Sequence, residues 1–151
     1  MAAPLAIAVA GFIARHGVAV LADRDRNTYW ADTDTIEVKH VSEFSSPRAR
    51  AGTLAHELGH WTGHKSRMDR AINRTKRHEA SYAAEKWREE MVAEAFARLF
   101  LARAGEPELR AEQWDTLKSK CPPELTLEAE IQATMDQGRE AFNRYANTEE
   151  N

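Results

Sequence analysis

Ala55-His56-Glu57-Leu58-Gly59-His60-Trp61 sits inside a segment that opens on Ser45-Ser46-Pro47 and closes on Gly63. A serine before proline marks a helix start: the hydroxyl can accept a free backbone N–H, and proline at the first helical position has none to satisfy. Glycine marks a stop, so Pro47 to Thr62 reads as one helix. On that helix His56 and His60 lie about 40° apart in rotation and about 6 Å apart along the axis, so both rings can reach one point. Zinc takes histidine nitrogen at about 2.0 to 2.1 Å and, in catalytic sites, keeps one position for water. Glu57 projects about 100° from His56. There it can accept a proton from a water that the ion has acidified towards a pKa of about 7 as it attacks a carbonyl. The segment therefore reads as a Zn2+ site with His56 and His60 as ligands and Glu57 as general base. Gly52, Gly59 and Gly63 add a stripe of small residues along which a second backbone could approach closely.

A third ligand is required. In the metzincin pattern it would be a histidine six residues after the second, but that position is Ser66. His64 follows His60 by one turn, but the stop at Gly63 swings it out of line, towards a supporting, substrate-facing or exposed role. The other source is a glutamate from a later helix, and Trp87-Arg88-Glu89-Glu90-Met91-Val92-Ala93-Glu94 offers three. Glu90 and Glu94 share a face one turn apart on a helix that is apolar around most of its circumference, so both should point inward. A buried carboxylate needs a cation or donors. Glu90 is the preferred ligand, and Glu94 is placed to accept the free ring N–H of a ligating histidine; Glu94 and Glu89 remain the alternatives for ligation. Glu89, about 100° away from Glu90, reads as a surface partner for Arg103. His64, His78 and Tyr82 are candidates to stabilise an oxyanion.

Working outward, Pro4 and Gly17 bracket a helix over Leu5 to His16 whose apolar character on all sides implies burial. Val18 to Ala22, Thr28 to Ala31 and Thr35 to Val41 are rich in β-branched and aromatic residues and are separated by Asp- and Asn-rich turns, which reads as a three-stranded meander. Ile36-Glu37-Val38-Lys39-His40-Val41 alternates, as a strand with one face in the core does, and suits a sheet edge. Ser81 to Ala104 reads as a long helix, followed by helices over Glu108 to Lys118 and Thr126 to Tyr145; residues 146–151 read as a frayed tail. Trp61, Trp87, Phe96 and Phe100 are expected in the core. The fold class is α+β, a small antiparallel or mixed sheet packed on several helices.

Composition bounds the rest. A chain of 151 residues, 42% hydrophobic, has the material for one core and not two, so a single domain over 1–151 is expected. The formal charge of −3 gives no global pull towards nucleic acid or an anionic membrane. One cysteine, Cys121, can make neither an internal disulfide nor a thiolate cluster, which suits a reducing cytoplasm. Ala2 to Ile13 lacks a basic start and is short of the roughly 20 residues a membrane span needs, so it reads as a buried helix and not as a signal or anchor.

Thr53-Leu54-Ala55-His56-Glu57-Leu58-Gly59-His60-Trp61-Thr62-Gly63-His64-Lys65-Ser66-Arg67-Met68-Asp69-Arg70 closely resembles the zincin-like domain of ArdC-type antirestriction proteins. Thr28-Tyr29-Trp30 through Thr35-Ile36 resembles the strands before that motif, and Glu89-Glu90-Met91-Val92-Ala93-Glu94 resembles its later glutamate helix. The likeness runs from about Ala6 to Tyr145. It implies a gluzincin-like metal site and a role on plasmids, phages or other mobile elements against host defence, with a protein or peptide as substrate and a host-defence protein as a candidate partner. Larger members carry an N-terminal single-stranded-DNA-binding domain, for which 151 residues leave no room. The family's glycine-phenylalanine turn between the motif helices is replaced here by Ala71-Ile72-Asn73-Arg74-Thr75-Lys76-Arg77-His78. The competing reading is a binding module with a structural zinc. Its best feature is the basic stretch Lys65, Arg67, Arg70, Arg74, Lys76 and Arg77, in which Arg74, Lys76 and Arg77 are the candidate nucleic-acid contacts.

Overall fold

A computed structural model describes residues 4–146 of the chain. The order is α1 (Leu5–His16), β1 (Ala19–Leu21), β2 (Thr28–Trp30), β3 (Thr35–Glu37), a 3-10 turn at Val41–Glu43, α2 (Pro47–Thr62), a 3-10 turn at Ala71–Arg74, α3 (Tyr82–Arg103), α4 (Ala111–Ser119) and α5 (Leu127–Tyr145). This is an α+β arrangement in which α3 packs against α2 on one side and α5 on the other.

The helix ends follow local chemistry. Ser46 Oγ accepts from the Ala49 N–H at 3.0 Å, and Pro47 stands in the first turn, as cap chemistry requires. Gly63 ends α2 in right-handed backbone (φ −88°), so its role there is not conformational. What it supplies is room, since a Cβ at Gly63 would lie 2.5 Å from the Arg70 guanidinium.

The sheet is not a meander. Its order is β1-β3-β2, with β1 parallel to β3 (Ala19 opposite Thr35) and β2 antiparallel to it (Thr28 opposite Glu37). The strand expected at an edge is thus the central one, and it ends at Glu37 instead of Val41. The reason lies in the connections. Asp23 and Asp34 adopt left-handed backbone (φ 61° and 53°), which aspartate tolerates better than most residues. The segment after β1 stays on β3 through Arg24 N–H to Val38 O and Val38 N–H to Leu21 O, both 3.0 Å, which leaves the opposite edge of β3 for β2.

Helix α1 buries only Leu5, Val9 and Phe12, while Ile7 is 64% exposed, so it is one-sided and not buried all round. Phe12 meets Trp61, Phe96 and Phe100 edge-on at 5.5 to 6.0 Å, and Trp61, Trp87, Phe96 and Phe100 are all buried. Ala146, expected in a frayed tail, is buried against this core; the rest of that tail and the first residues of the apolar N-terminal run lie outside the described residues. Two helix crossings depend on glycine. A Cβ on Gly59 would lie 2.6 Å from Ala93 O, and one on Gly138 would lie 2.6 Å from Ala95 Cβ. The first crossing sets His60, the next residue on α2, against the glutamates of α3.

Candidate metal centre

His56 and His60 on α2 and Glu90 on α3 bring three potential ligand atoms together. His56 Nε2 lies 2.9 Å and His60 Nε2 3.3 Å from Glu90 Oε1, and the two nitrogens are 3.2 Å apart. The outer face of each ring is held. His56 Nδ1–H donates to Glu94 Oε1 at 2.6 Å, and His60 Nδ1–H donates to Glu89 Oε2 at 2.9 Å. With Nδ1 carrying the proton, the Nε2 lone pairs of both rings face the shared point.

Each carboxylate has a cation of its own. Arg110 grips Glu94 with two bonds of 2.9 Å, and Arg70 grips Glu89 with bonds of 2.8 and 3.0 Å. Lys86 Nζ donates to the outer oxygen of Glu90 at 2.9 Å, leaving Oε1 turned towards the imidazoles. Burial resists ionisation of Glu90, but His60 and His56 outweigh it and hold that carboxyl well below the usual range. Burial likewise opposes charging His56 and His60, yet Glu90 with Glu94, and Glu90 with Glu89, raise both rings above their ordinary value. The space between the rings therefore favours positive charge, which either protons or a divalent ion can supply. Two imidazole nitrogens, one carboxylate oxygen and carboxylates behind the rings make a donor set that fits zinc.

The site lines a cleft of ≈ 290 Å³ whose walls include Glu57, Asn27, Thr28, Tyr29 and Lys86. Tyr29 stacks on His60 (6.5 Å between centroids, 14° between planes), and its hydroxyl donates to Asp34 Oδ1 at 2.6 Å. Burial first, and then Asp34, push the Tyr29 phenol above its ordinary value. Arg67 pairs with Asp34 and lies over the Trp61 ring at 3.7 Å, locking the β2–β3 turn to the end of α2.

The placement of the expected residues is uneven. Glu57 and Glu90 stand in the cleft wall with both histidines, and Glu94 stands behind His56. Glu89 is not a surface partner of Arg103; it is buried between His60 and Arg70. His64 turns to Ser66 (Nδ1 to Oγ, 2.8 Å), and among the described residues lining the cleft there is no His64, His78 or Tyr82. Nor is the stretch after α2 a uniform basic surface. Arg70 is buried, Arg67 is half-buried, Arg74 pairs with Asp69 at 2.8 Å, and Lys76 and Arg77 are exposed.

Sequence reasoning missed Tyr29, Lys86, Arg70 and Arg110. Only Lys86 had a local signal, its four-residue spacing from Glu90. The two arginines come from connections between helices, where nothing periodic betrays a side chain turned inward.

The chain is similar to several known proteins. Two Escherichia coli proteins, each named DNA primase TraC, are similar to the chain: one is 41% identical over 66 residues (44% of this chain, 6% of that protein), the other 46% over 48 residues (32% and 3%). Crystal structures of the antirestriction protein ArdC from plasmid R388 superpose with a TM-score of 0.56 in both the Mn(II)-bound form (25% identity, 88% of this chain and 51% of that one) and the metal-free form (29%, 96% and 53%). The chain spans about half the length of ArdC and a few per cent of the primases. Among the described residues no helix is long and apolar enough to cross a membrane. A family model described as zincin-like metallopeptidase matches residues 8–114, which contain both helices of the metal centre, and the chain belongs to that family.

Proposed function

We propose that the chain is a zinc-dependent metallopeptidase domain of a mobile-element protein that works in the cytoplasm against host defence, by hydrolysing a protein target. The observation that carries this reading is the meeting of His56 Nε2, His60 Nε2 and Glu90 Oε1 in a cleft that Glu57 also lines. The resemblance to ArdC supports the antirestriction setting.

When bound, a zinc ion supplies Lewis acidity to a carbonyl and acidifies a water. The chain's own residues do the rest. Glu57 takes the proton of the attacking water and passes it to the leaving amine. Glu94 and Glu89 accept the Nδ1–H bonds that keep both Nε2 atoms free to ligate. Lys86 holds the outer oxygen of Glu90, and the Tyr29 ring shields His60 from water.

A peptide cannot add beside β3, because both its edges are paired. Strand β2 takes that role. Among the described residues it is an edge strand, and Thr28 and Tyr29 line the cleft, so an extended substrate pairing there would pass Glu57.

Glu57→Gln is expected to retain zinc and abolish cleavage of any substrate found; unchanged turnover would remove Glu57 from the mechanism. The reading as a DNA-contacting module with a structural zinc rests on Lys76 and Arg77, with Lys65 also exposed, since Arg67, Arg70 and Arg74 are engaged within the protein. Salt-sensitive DNA retention lost on charge reversal at Arg77 would favour it.

A further inference from the structure

We infer that Arg70 and Arg110 are positioning residues of the metal centre: each clamps the carboxylate that orients one ligating imidazole. The inference rests on the reading of His56, His60 and Glu90 as metal ligands.

Two chains of contacts run outward from the shared point. One goes from His56 to Glu94 to Arg110, the other from His60 to Glu89 to Arg70. In both, the arginine meets the carboxylate through two N–H groups. A fork of that kind fixes the plane of the carboxylate as well as its charge. With the plane fixed, the lone pair offered to the ring Nδ1–H has one direction, and rotation of the ring is fixed with it. A lysine would neutralise the charge without setting the plane.

Arg70 is buried and Arg110 half-buried, and that depth needs a cause. Taking a guanidinium out of water is costly unless its N–H groups are satisfied. Arg70 comes from the connection after α2 and folds back beneath that helix. It donates to Gly59 O at 2.7 Å and to Thr62 Oγ1 at 3.0 Å as well as to Glu89, in space that a side chain at Gly63 would fill. Its contacts close a ring through His60, Glu89 and the carbonyl of the residue before His60. Arg110 enters from the opposite side, just before α4, and reaches Thr53 Oγ1 on α2 at 3.4 Å while gripping Glu94 on α3. Each arginine therefore ties α2 to α3 on its own side of the histidine pair. A surface arginine that merely balanced charge would need neither the depth nor the fork.

The test uses the full chain. Zinc affinity is measured by competition with a chromophoric chelator, and the imidazole Nδ1–H proton resonances of His56 and His60 are followed by NMR in the zinc-loaded protein. Arg110→Met is expected to weaken zinc binding by about tenfold or more and to shift or broaden the His56 resonance while leaving that of His60. Arg70→Met should do the reverse. Arg110→Lys and Arg70→Lys should recover less than half of the lost affinity on a logarithmic scale, and they are the variants read if a methionine variant does not fold. Affinities within threefold of the parent, or disturbance of both resonances equally in every variant, would overturn the inference while leaving the ligand set intact. If the parent chain itself fails to bind zinc through His56 and His60, the reading beneath the inference falls with it.

Discussion

At the scale of single residues, Gly59 and Gly11 make opposite predictions from the same substitution. Helix propensity favours alanine over glycine by about 1 kcal/mol. At Gly11, in α1, a Cβ meets nothing within 4 Å, so Gly11→Ala should stabilise the protein by about 0.5–1 kcal/mol. At Gly59 the new Cβ would lie 2.6 Å from a backbone oxygen and 2.7 Å from a Cα of α3, neither of which can turn aside. Gly59→Ala should part the helices and cost about 1–3 kcal/mol net, with a matching loss of zinc affinity. Denaturant unfolding of the two variants checks both signs; a stabilised Gly59→Ala protein would mean that the helices do not cross there. The small-residue stripe was visible in the sequence, but which of its glycines touches a neighbour was not, because that depends on what α3 presents. Glu89 was misread for a related reason. Its helical angle separates it from Glu90 correctly, yet the partner that draws it inward is Arg70, nineteen residues earlier in the chain and in a connection without periodicity.

At the scale of elements, the start of α2 was legible because it is written in local chemistry, Ser46-Pro47, whereas its end falls at Gly63 without the left-handed backbone that makes glycine a stop signal. Ser46→Ala should therefore destabilise the protein by about 1 kcal/mol, seen as a lowered denaturation midpoint; no change would mean that the Ser46 cap carries no weight. The sheet was legible in its parts and not in its order. Alternation in Thr35 to Val41 says which face meets the core, and Ile36 and Val38 are indeed fully buried, but it says nothing about which strands flank it. The pairing of β1 with β3 depends on contacts made around Asp23 and Arg24, and it moves the open edge beside the cleft to β2. Proline at whichever of Thr28 and Tyr29 turns its N–H to the open edge should accordingly impair any peptide cleavage more than it impairs zinc binding.

At the scale of the whole molecule, the centre is a balance of buried charge that pH and metal both shift. The carboxyls of Glu89 and Glu94 are held down at about 2, against an ordinary 4.5. Burial works the other way, but hydrogen bonds from His60 and Arg70, and from His56 and Arg110, outweigh it. A folded-state pKa below the unfolded one gives stability that is present above pH 4.5 and is lost as the pH falls towards 2. The metal-free protein should lose thermal stability across that window, and Arg70→Met should flatten the dependence. An ion bound only by the folded chain adds stability by mass action, so zinc should raise Tm and a chelator should reverse the rise. Because Glu90, with Glu94 and Glu89, raises both imidazoles above their ordinary value, zinc binding near neutral pH should release protons, detected as a binding enthalpy that varies with the ionisation heat of the buffer. Beneath all of these expectations lies the location of the ion. Anomalous diffraction at the zinc edge from zinc-soaked crystals should show one strong peak bounded by His56 Nε2, His60 Nε2 and a Glu90 carboxylate oxygen, with Glu57 beside it and not ligating. A peak elsewhere, or none at saturating zinc, would contradict the account.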